Sequence, residues 1–177
     1  MMYEENDYKM SRSDELGVTA LEIMYEGGRT SMVVLLPDDV EGLSKLEDTL
    51  TGEKIAKLLK DLRERSEVRL YLPKFKLEQA INLKQTLSAM GIEDLFAHAA
   101  DLSGVSAKEN LLVSEVFHKA FVEVSEEGTE AAAAAAVVAV AMCARDTEEF
   151  VVDRPFMFLI RSREPELILF LGSVRQL

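Results

Sequence analysis

Residues 125–144 read Ser-Glu-Glu-Gly-Thr-Glu, then six alanines, then Val-Val-Ala-Val-Ala-Met-Cys-Ala. No other stretch limits so tightly what this chain can fold into. Three carboxylates flank one glycine, and the fourteen residues 131–144 then carry no charge. A membrane span needs roughly 20 apolar residues, so the run is too short for one. It lies far from the amino terminus, so it is not the apolar core of a signal peptide. Local propensity alone predicts a buried helix, because alanine is the best helix former. The flanks predict something else. Residues 111–124 before the run, Leu-Leu-Val-Ser-Glu-Val-Phe-His-Lys-Ala-Phe-Val-Glu-Val, are rich in strand formers. So are residues 150–160 after it, which include Phe156-Met-Phe-Leu-Ile.

The remaining chain predicts a domain of mixed α and β structure. Residues 18–25 and 30–36 are short β-rich runs joined by Glu26-Gly27-Gly28-Arg29, a hairpin signal. No Gly-Lys-Ser/Thr follows the two glycines, so they are not a phosphate loop. Residues 43–50 and 54–65 predict two helices. In the second, Ile55, Leu58, Leu59 and Leu62 form an apolar stripe at helical spacing. Residues 68–77 predict one strand, and residues 83–90 a helix with Asn82 as its cap and Gly91 as its stop. Residues 156–161 and 167–174 predict two buried strands. No repeat or linker-like tract divides the chain, and its 177 residues are enough for one domain with a core.

Charge excludes several functions. The formal net charge is −12, the reverse of what nucleic acid or heparin would need. Lys54, Lys57, Lys60, Arg63 and Arg65 do cluster. They alternate with Glu53, Asp61, Glu64 and Glu67, the pattern of a solvated face. Enzyme readings are equally poor. The chain has two histidines, His98 and His118, twenty residues apart, and one cysteine, Cys143. That is too sparse for a metal site. A Cys143–His118 nucleophile pair would put the thiol in an apolar run with no group to orient its base. No cofactor or metal is expected, and one cysteine leaves no internal disulfide. No Asn-x-Ser/Thr sequon occurs.

Several short motifs, in order, resemble the second half of a serpin. They are Leu72-Pro73-Lys74-Phe75, Ala100-Asp101-Leu102-Ser103-Gly104-Val105, His118-Lys119-Ala120, the Pro155-Phe156 pair within residues 150–160, and Leu169-Phe170-Leu171-Gly172. The segment Glu126-Glu127-Gly128-Thr129-Glu130-Ala131-Ala132-Ala133-Ala134 is similar to that family's hinge, which begins an exposed reactive-centre loop. The resemblance spans residues 1–177 and implies a truncated α+β serpin fold: mostly antiparallel mixed sheets, a few helices, and the loop at about 126–150. It also implies that the chain is a carboxyl-terminal fragment, since members of the family are about twice as long. In the family the histidine matching His118 helps hold the large sheet closed.

The function implied is inhibition of a serine-type endopeptidase as a suicide substrate. The loop is cleaved, inserts into the large sheet as a strand, and traps the acylated protease. The chain is then not itself an enzyme. Physical reading of the run agrees that it can become a buried strand. Side chains of a strand alternate between faces. With Thr129 inward, the inward set continues through Ala131, Ala133 and Ala135 to Ala141, small and uncharged throughout. Glu130 falls on the outer face. An inward carboxylate would cost several kcal/mol, and an oversized side chain ~1–3 kcal/mol.

Met142 lies fourteen residues beyond Gly128, so the family's spacing places the scissile bond at Met142–Cys143, with Arg145 as the alternative. Methionine there favours a chymotrypsin- or elastase-like partner, and arginine a trypsin-like one. Other implied readings are a non-inhibitory carrier, chaperone or storage serpin, and an inactive fragment. The family implies secretion, with a cytoplasmic, ovalbumin-like alternative. Hinge and tail are similar to those of arthropod, tick-type members. Neither nucleic acid nor a membrane is an expected partner.

Overall fold

The computed structural model describes residues 1–106, 111–125 and 147–176. They form two compact units, Met1–Phe75 with Ser125–Leu177, and Lys76–Val124.

The first unit is built on a seven-stranded sheet. In chain order its strands are β1 (Met2–Ser13), β2 (Val18–Met24), β3 (Thr30–Pro37), β4 (Arg63–Leu72), β7 (Glu149–Val151), β8 (Phe156–Arg163) and β9 (Glu166–Val174). In space they run β7-β4-β1-β2-β3-β8-β9, and every pair is antiparallel except β4–β7. The β2–β3 hairpin forms as its sequence predicts. Gly27 and Gly28 both take positive φ in the turn, a conformation glycine adopts without a Cβ penalty.

Helices α1 (Leu43–Thr49) and α2 (Gly52–Lys60) cover one face of this sheet. Thr51 caps α2 by accepting a hydrogen bond from the Lys54 amide at 3.3 Å. The predicted stripe packs inward: Ile55 and Leu58, with Leu43 and Leu46 of α1, meet Val18, Ala20, Val33, Leu35, Met157 and Leu159. The opposite face is also apolar. There Phe75 stacks on Phe156 and Phe158, with ring centroids 5.7 and 5.4 Å apart. A sheet covered on both faces needs strands apolar on both faces, hence the unbroken runs of β3 and β8.

Four sequence expectations are corrected. The second helix ends at Lys60, not at residue 65, and Arg63 begins β4. Residues 68–77 are not one strand, because the chain breaks at Pro73-Lys74 and Phe75 starts β5 (Phe75–Asn82). The expected strand at 111–124 is regular only from Phe117. The strand at 167–174 forms, but Leu167 to Leu171 are exposed and not buried. Strand β1 had no sequence signal. Its residues are mostly polar, and its pairing with β2 and β4 satisfies the backbone that local propensity would not.

In the second unit, β5 (Phe75–Asn82) pairs with β6 (Phe117–Val124). Lys76 reaches Glu123 at 3.9 Å, Lys119 pairs with Glu78, and the Leu83 amide donates to the Val116 carbonyl at 2.8 Å. Partners that advance on one strand retreat on the other, so the two are antiparallel. Asn82 accepts from the Lys84 amide at 3.0 Å at the start of α3 (Lys84–Ala89), and Gly91 at φ +93° ends it. The stop acts as the sequence predicts; the start differs, since the N-cap position falls on Leu83 and no side chain caps it.

Candidate functional site

The hinge residues 126–134, the Met142–Cys143 bond and Arg145 lie outside the described residues. What the structure supplies is the strand that precedes residues 126–146 in the sequence and the strand that follows them, each described within its own unit.

The exit strand is held through β4. The Arg69 amide donates to the Glu148 carbonyl, and the Val152 amide to the Tyr71 carbonyl, both at 2.9 Å. Between them Glu149, Phe150 and Val151 pair in parallel with Arg69, Leu70 and Tyr71. Phe150 is 3% exposed and Val152 fully buried. Burying a phenylalanine contributes about 1.5–3 kcal/mol, so Phe150 is the main anchor of this end. Arg69 adds a polar clasp, reaching Glu5 on β1 at 3.1 Å and Glu149 on β7 at 3.7 Å. Tyr3 donates to the same Glu5 carboxylate at 2.9 Å. The Tyr3 hydroxyl and the Arg69 guanidinium hold that carboxyl below its usual range. Solvent reaches the whole cluster, so its weight in stability is small.

The entry strand is β6. One edge pairs with β5, and the other has no ladder partner among the described residues. Phe117, Lys119, Phe121 and Glu123 alternate with His118, Ala120, Val122 and Val124 along it. Lys76 sits 5.1 Å over the Phe121 ring. His118 is exposed on this strand.

Three of the motifs singled out in the sequence fall into place around the first unit's aromatic face. Phe75 and Phe156 come from two of them. Gly172, from a third, lies opposite Phe158 in the β8–β9 ladder. A Cβ at Gly172 would meet the Phe158 ring at 2.9 Å, so the glycine lets that ring lie flat on the strand. Phe75, Phe156, Phe158 and Gly172 are distant in sequence and form one packed cluster. A fourth motif forms a turn in the second unit, where the Asp101 carboxylate accepts from the Ser103 amide at 3.0 Å. Ser103's side chain and amide together lower that carboxyl's pKa.

Two features escaped sequence reasoning. A buried polar triad sits on the helix-covered face of the first unit: Arg161 contacts Glu22 Oε1 at 2.7 and 3.1 Å, and Ser31 donates to the same oxygen at 2.7 Å. Its only signal is a lone carboxylate within the apolar run of β2. Beside it a cavity of about 830 Å³ opens between α2 and the β8–β9 turn. Among the described residues its lining mixes lysine, arginine and glutamate with leucine and isoleucine and contains no histidine or cysteine. Among the described residues no three potential metal ligands cluster, and no helix is long and apolar enough to cross a membrane.

Comparison with known proteins matches this arrangement. The profile of the family described as serpin (serine protease inhibitor) matches residues 1–177. The chain is 58% identical to Iris of Ixodes ricinus, over 100% of this chain and 48% of that one. It is 46% identical to the leukocyte elastase inhibitor of Sus scrofa, over 98% of this chain and 47% of that one. Among solved structures, uncleaved ovalbumin superposes with a TM-score of 0.81 at 37% identity, covering 98% of this chain and 46% of that one. The chain thus spans about half the length of the relatives it matches.

Proposed function

The chain belongs to the serpin family, and from that premise we propose that it carries the bait and one wall of the receiving slot of a suicide-substrate inhibitor of serine endopeptidases. The family is one of protease inhibitors, and a relative named leukocyte elastase inhibitor is similar over almost the whole chain. One sequence observation carries the finer reading. From Thr129 to Ala141 every second residue is small and uncharged, so the segment can enter a sheet interior without a desolvated charge or a steric clash. The outer edge of β6, which leads directly into the hinge, has no ladder partner among the described residues and supports the same reading, since such an edge can accept a new strand.

On this reading a protease serine attacks the Met142 carbonyl, the Met142–Cys143 bond breaks, and the acyl ester stays on Met142. Insertion of residues 129–141 then separates the ester from the residues that would hydrolyse it. A methionine at the bait suits the apolar primary pocket of a chymotrypsin- or elastase-like enzyme. His118 would help close the sheet.

The test is to incubate the full-length protein containing these 177 residues with chymotrypsin, elastase and trypsin. Denaturing gels should show a covalent band with either of the first two, and mass spectrometry the released 35-residue peptide 143–177. Cleavage without a covalent band for all three enzymes would overturn the inhibitory reading. A peptide beginning at Asp146 would move the bait to Arg145.

A further inference from the structure

Strands β1, β4 and β7 present one outward face around the exit of the loop. Alternation along β4 buries Val68, Leu70 and Leu72 and turns Arg69 and Tyr71 the other way. The ladders then set Glu5, Arg69 and Glu149 side by side in one cross-strand row, and Tyr3, Tyr71 and Val151 in the next. Tyr3 is 56% exposed, and its ring centroid lies 5.1 Å from that of Tyr71. In the adjoining row Arg69 is held from both sides by Glu5 and Glu149. The Tyr3 hydroxyl donates to Glu5 and ties the two rows together.

Solvated charge clusters add little to stability, so folding alone does not explain the order of these side chains. Their composition is that of a binding surface. Tyrosine and arginine are prominent among the residues that anchor protein interfaces, and a side chain already held in place loses less freedom on binding. Charge narrows the partner. Residues 1–7 and 147–153 hold six carboxylates (Glu4, Glu5, Asp7, Glu148, Glu149 and Asp153) and no lysine or arginine. Position narrows it further. Met142 lies five residues before Thr147, and five residues span at most about 18 Å. An interface of ordinary size covers roughly 800 Å² on each partner, a patch about 32 Å across. An enzyme seated on the Met142–Cys143 bond with such a footprint borders this face.

We propose that the Tyr3–Tyr71 pair and the Arg69 clasp form a second docking surface for the endopeptidase that cuts the bait, selecting enzymes with basic side chains beside the cleft. This role rests on the bait assignment and adds a determinant outside the loop. Met142 sets which primary pocket fits, and the face sets which enzymes with that pocket engage fast. Complementary charge acts mainly on the rate of association.

The test uses the full-length protein containing these 177 residues, with chymotrypsin, elastase and trypsin. It reads the second-order rate at which intact protein is consumed, which is defined whether cleavage ends in a covalent complex or in turnover. Tyr3→Ala, and the double variant Glu5→Gln with Glu149→Gln, should each slow the fastest of the three enzymes at least fivefold. The other two should be slowed by different factors, because their rims differ. Added salt should slow the wild type more than the double variant. Unfolding midpoints should not move, since all three side chains are exposed. Val40→Lys, on an exposed turn after β3, should change none of the rates. Unchanged rates in both variants overturn the proposal. Equal slowing of all three enzymes also overturns it, by marking a face that only positions the loop. Rates that depend on the face with no covalent band would sink the inhibitory reading and leave this one standing. No consumption by any of the three would sink both.

Discussion

Glu22 and Arg161 are the one strongly buried ion pair among the described residues, with side chains 1 and 10% exposed. Burial by itself would raise the Glu22 pKa. Hydrogen bonds from Ser31 and Arg161, and the charges of Arg161 and Arg163, outweigh it and hold the carboxyl below the ordinary 4.5. Its second oxygen, Oε2, is buried without a hydrogen-bond partner, so Arg161 and Ser31 must carry the whole burden of keeping the charge inside. Arg161→Met should therefore destabilise the fold by about 3–5 kcal/mol, because it leaves a buried charge unpaired. Replacing both partners, as in Glu22→Leu with Arg161→Met, should recover most of that loss. The pH dependence follows from linkage. A carboxyl held low in the folded state contributes stability above the unfolded value, and that contribution fades as pH falls below about 4.5. In the Arg161→Met variant burial dominates and the shift reverses, so the variant loses stability as pH rises above the unfolded value toward the raised folded one. Urea unfolding at several pH values should find the gap between the two narrowing toward acid. A gap independent of pH would mean that the pair is not what Arg161 contributes.

At the scale of elements, the sequence was legible where the signal was local. The β2–β3 turn needed two residues at positive φ and has Gly27-Gly28. The α2 stripe and the Gly91 boundary were equally readable. What failed was decided by distant partners. Arg63 and Arg65 continue the helical charge pattern of α2, yet β1 is waiting to pair with them, and tertiary pairing wins. Phe75 reads as the continuation of a strand, yet it turns at Pro73 to reach Phe156. The apolar row of β9 reads as a buried strand, yet Leu167 to Leu171 are exposed, because β9 ends the strand order of its sheet among the described residues. The hinge and bait rest on sequence and family resemblance alone. Gly172 gives a test at this scale. A glycine-to-alanine change in a compatible site ordinarily stabilises by about 0.4–1 kcal/mol through the unfolded chain. At Gly172 the new methyl would strike the buried Phe158 ring, so Gly172→Ala should instead cost about 1–3 kcal/mol. Gly52→Ala, at a helix start with open space around it, is the control and should be neutral or stabilising. Equal unfolding midpoints for the two variants would mean that the Phe158 ring gives way freely.

For the whole molecule, the proposed mechanism turns on a change of topology: an edge at β6 that accepts the chain's own downstream segment as a strand. Such an insertion is sensitive to one face of the segment and indifferent to the other. Thr129 begins the inward set and Glu130 the outward one. Thr129→Arg would bring a guanidinium into the sheet interior without a carboxylate to meet it, a cost of several kcal/mol. It falls at the first step of insertion, when little compensating contact has formed. Insertion slows, hydrolysis of the acyl-enzyme does not, and the inhibitor becomes a substrate. Glu130→Arg exchanges one solvated charge for another and should leave trapping nearly intact. The measurement is the number of inhibitor molecules consumed per protease trapped, in the full-length protein. It should rise at least tenfold for Thr129→Arg and less than twofold for Glu130→Arg, with association rates similar in both. A reversed order would put Glu130 on the inward face and shift the buried set by one residue. Equal loss in both variants would mean that the hinge is read by the protease itself and not by the sheet.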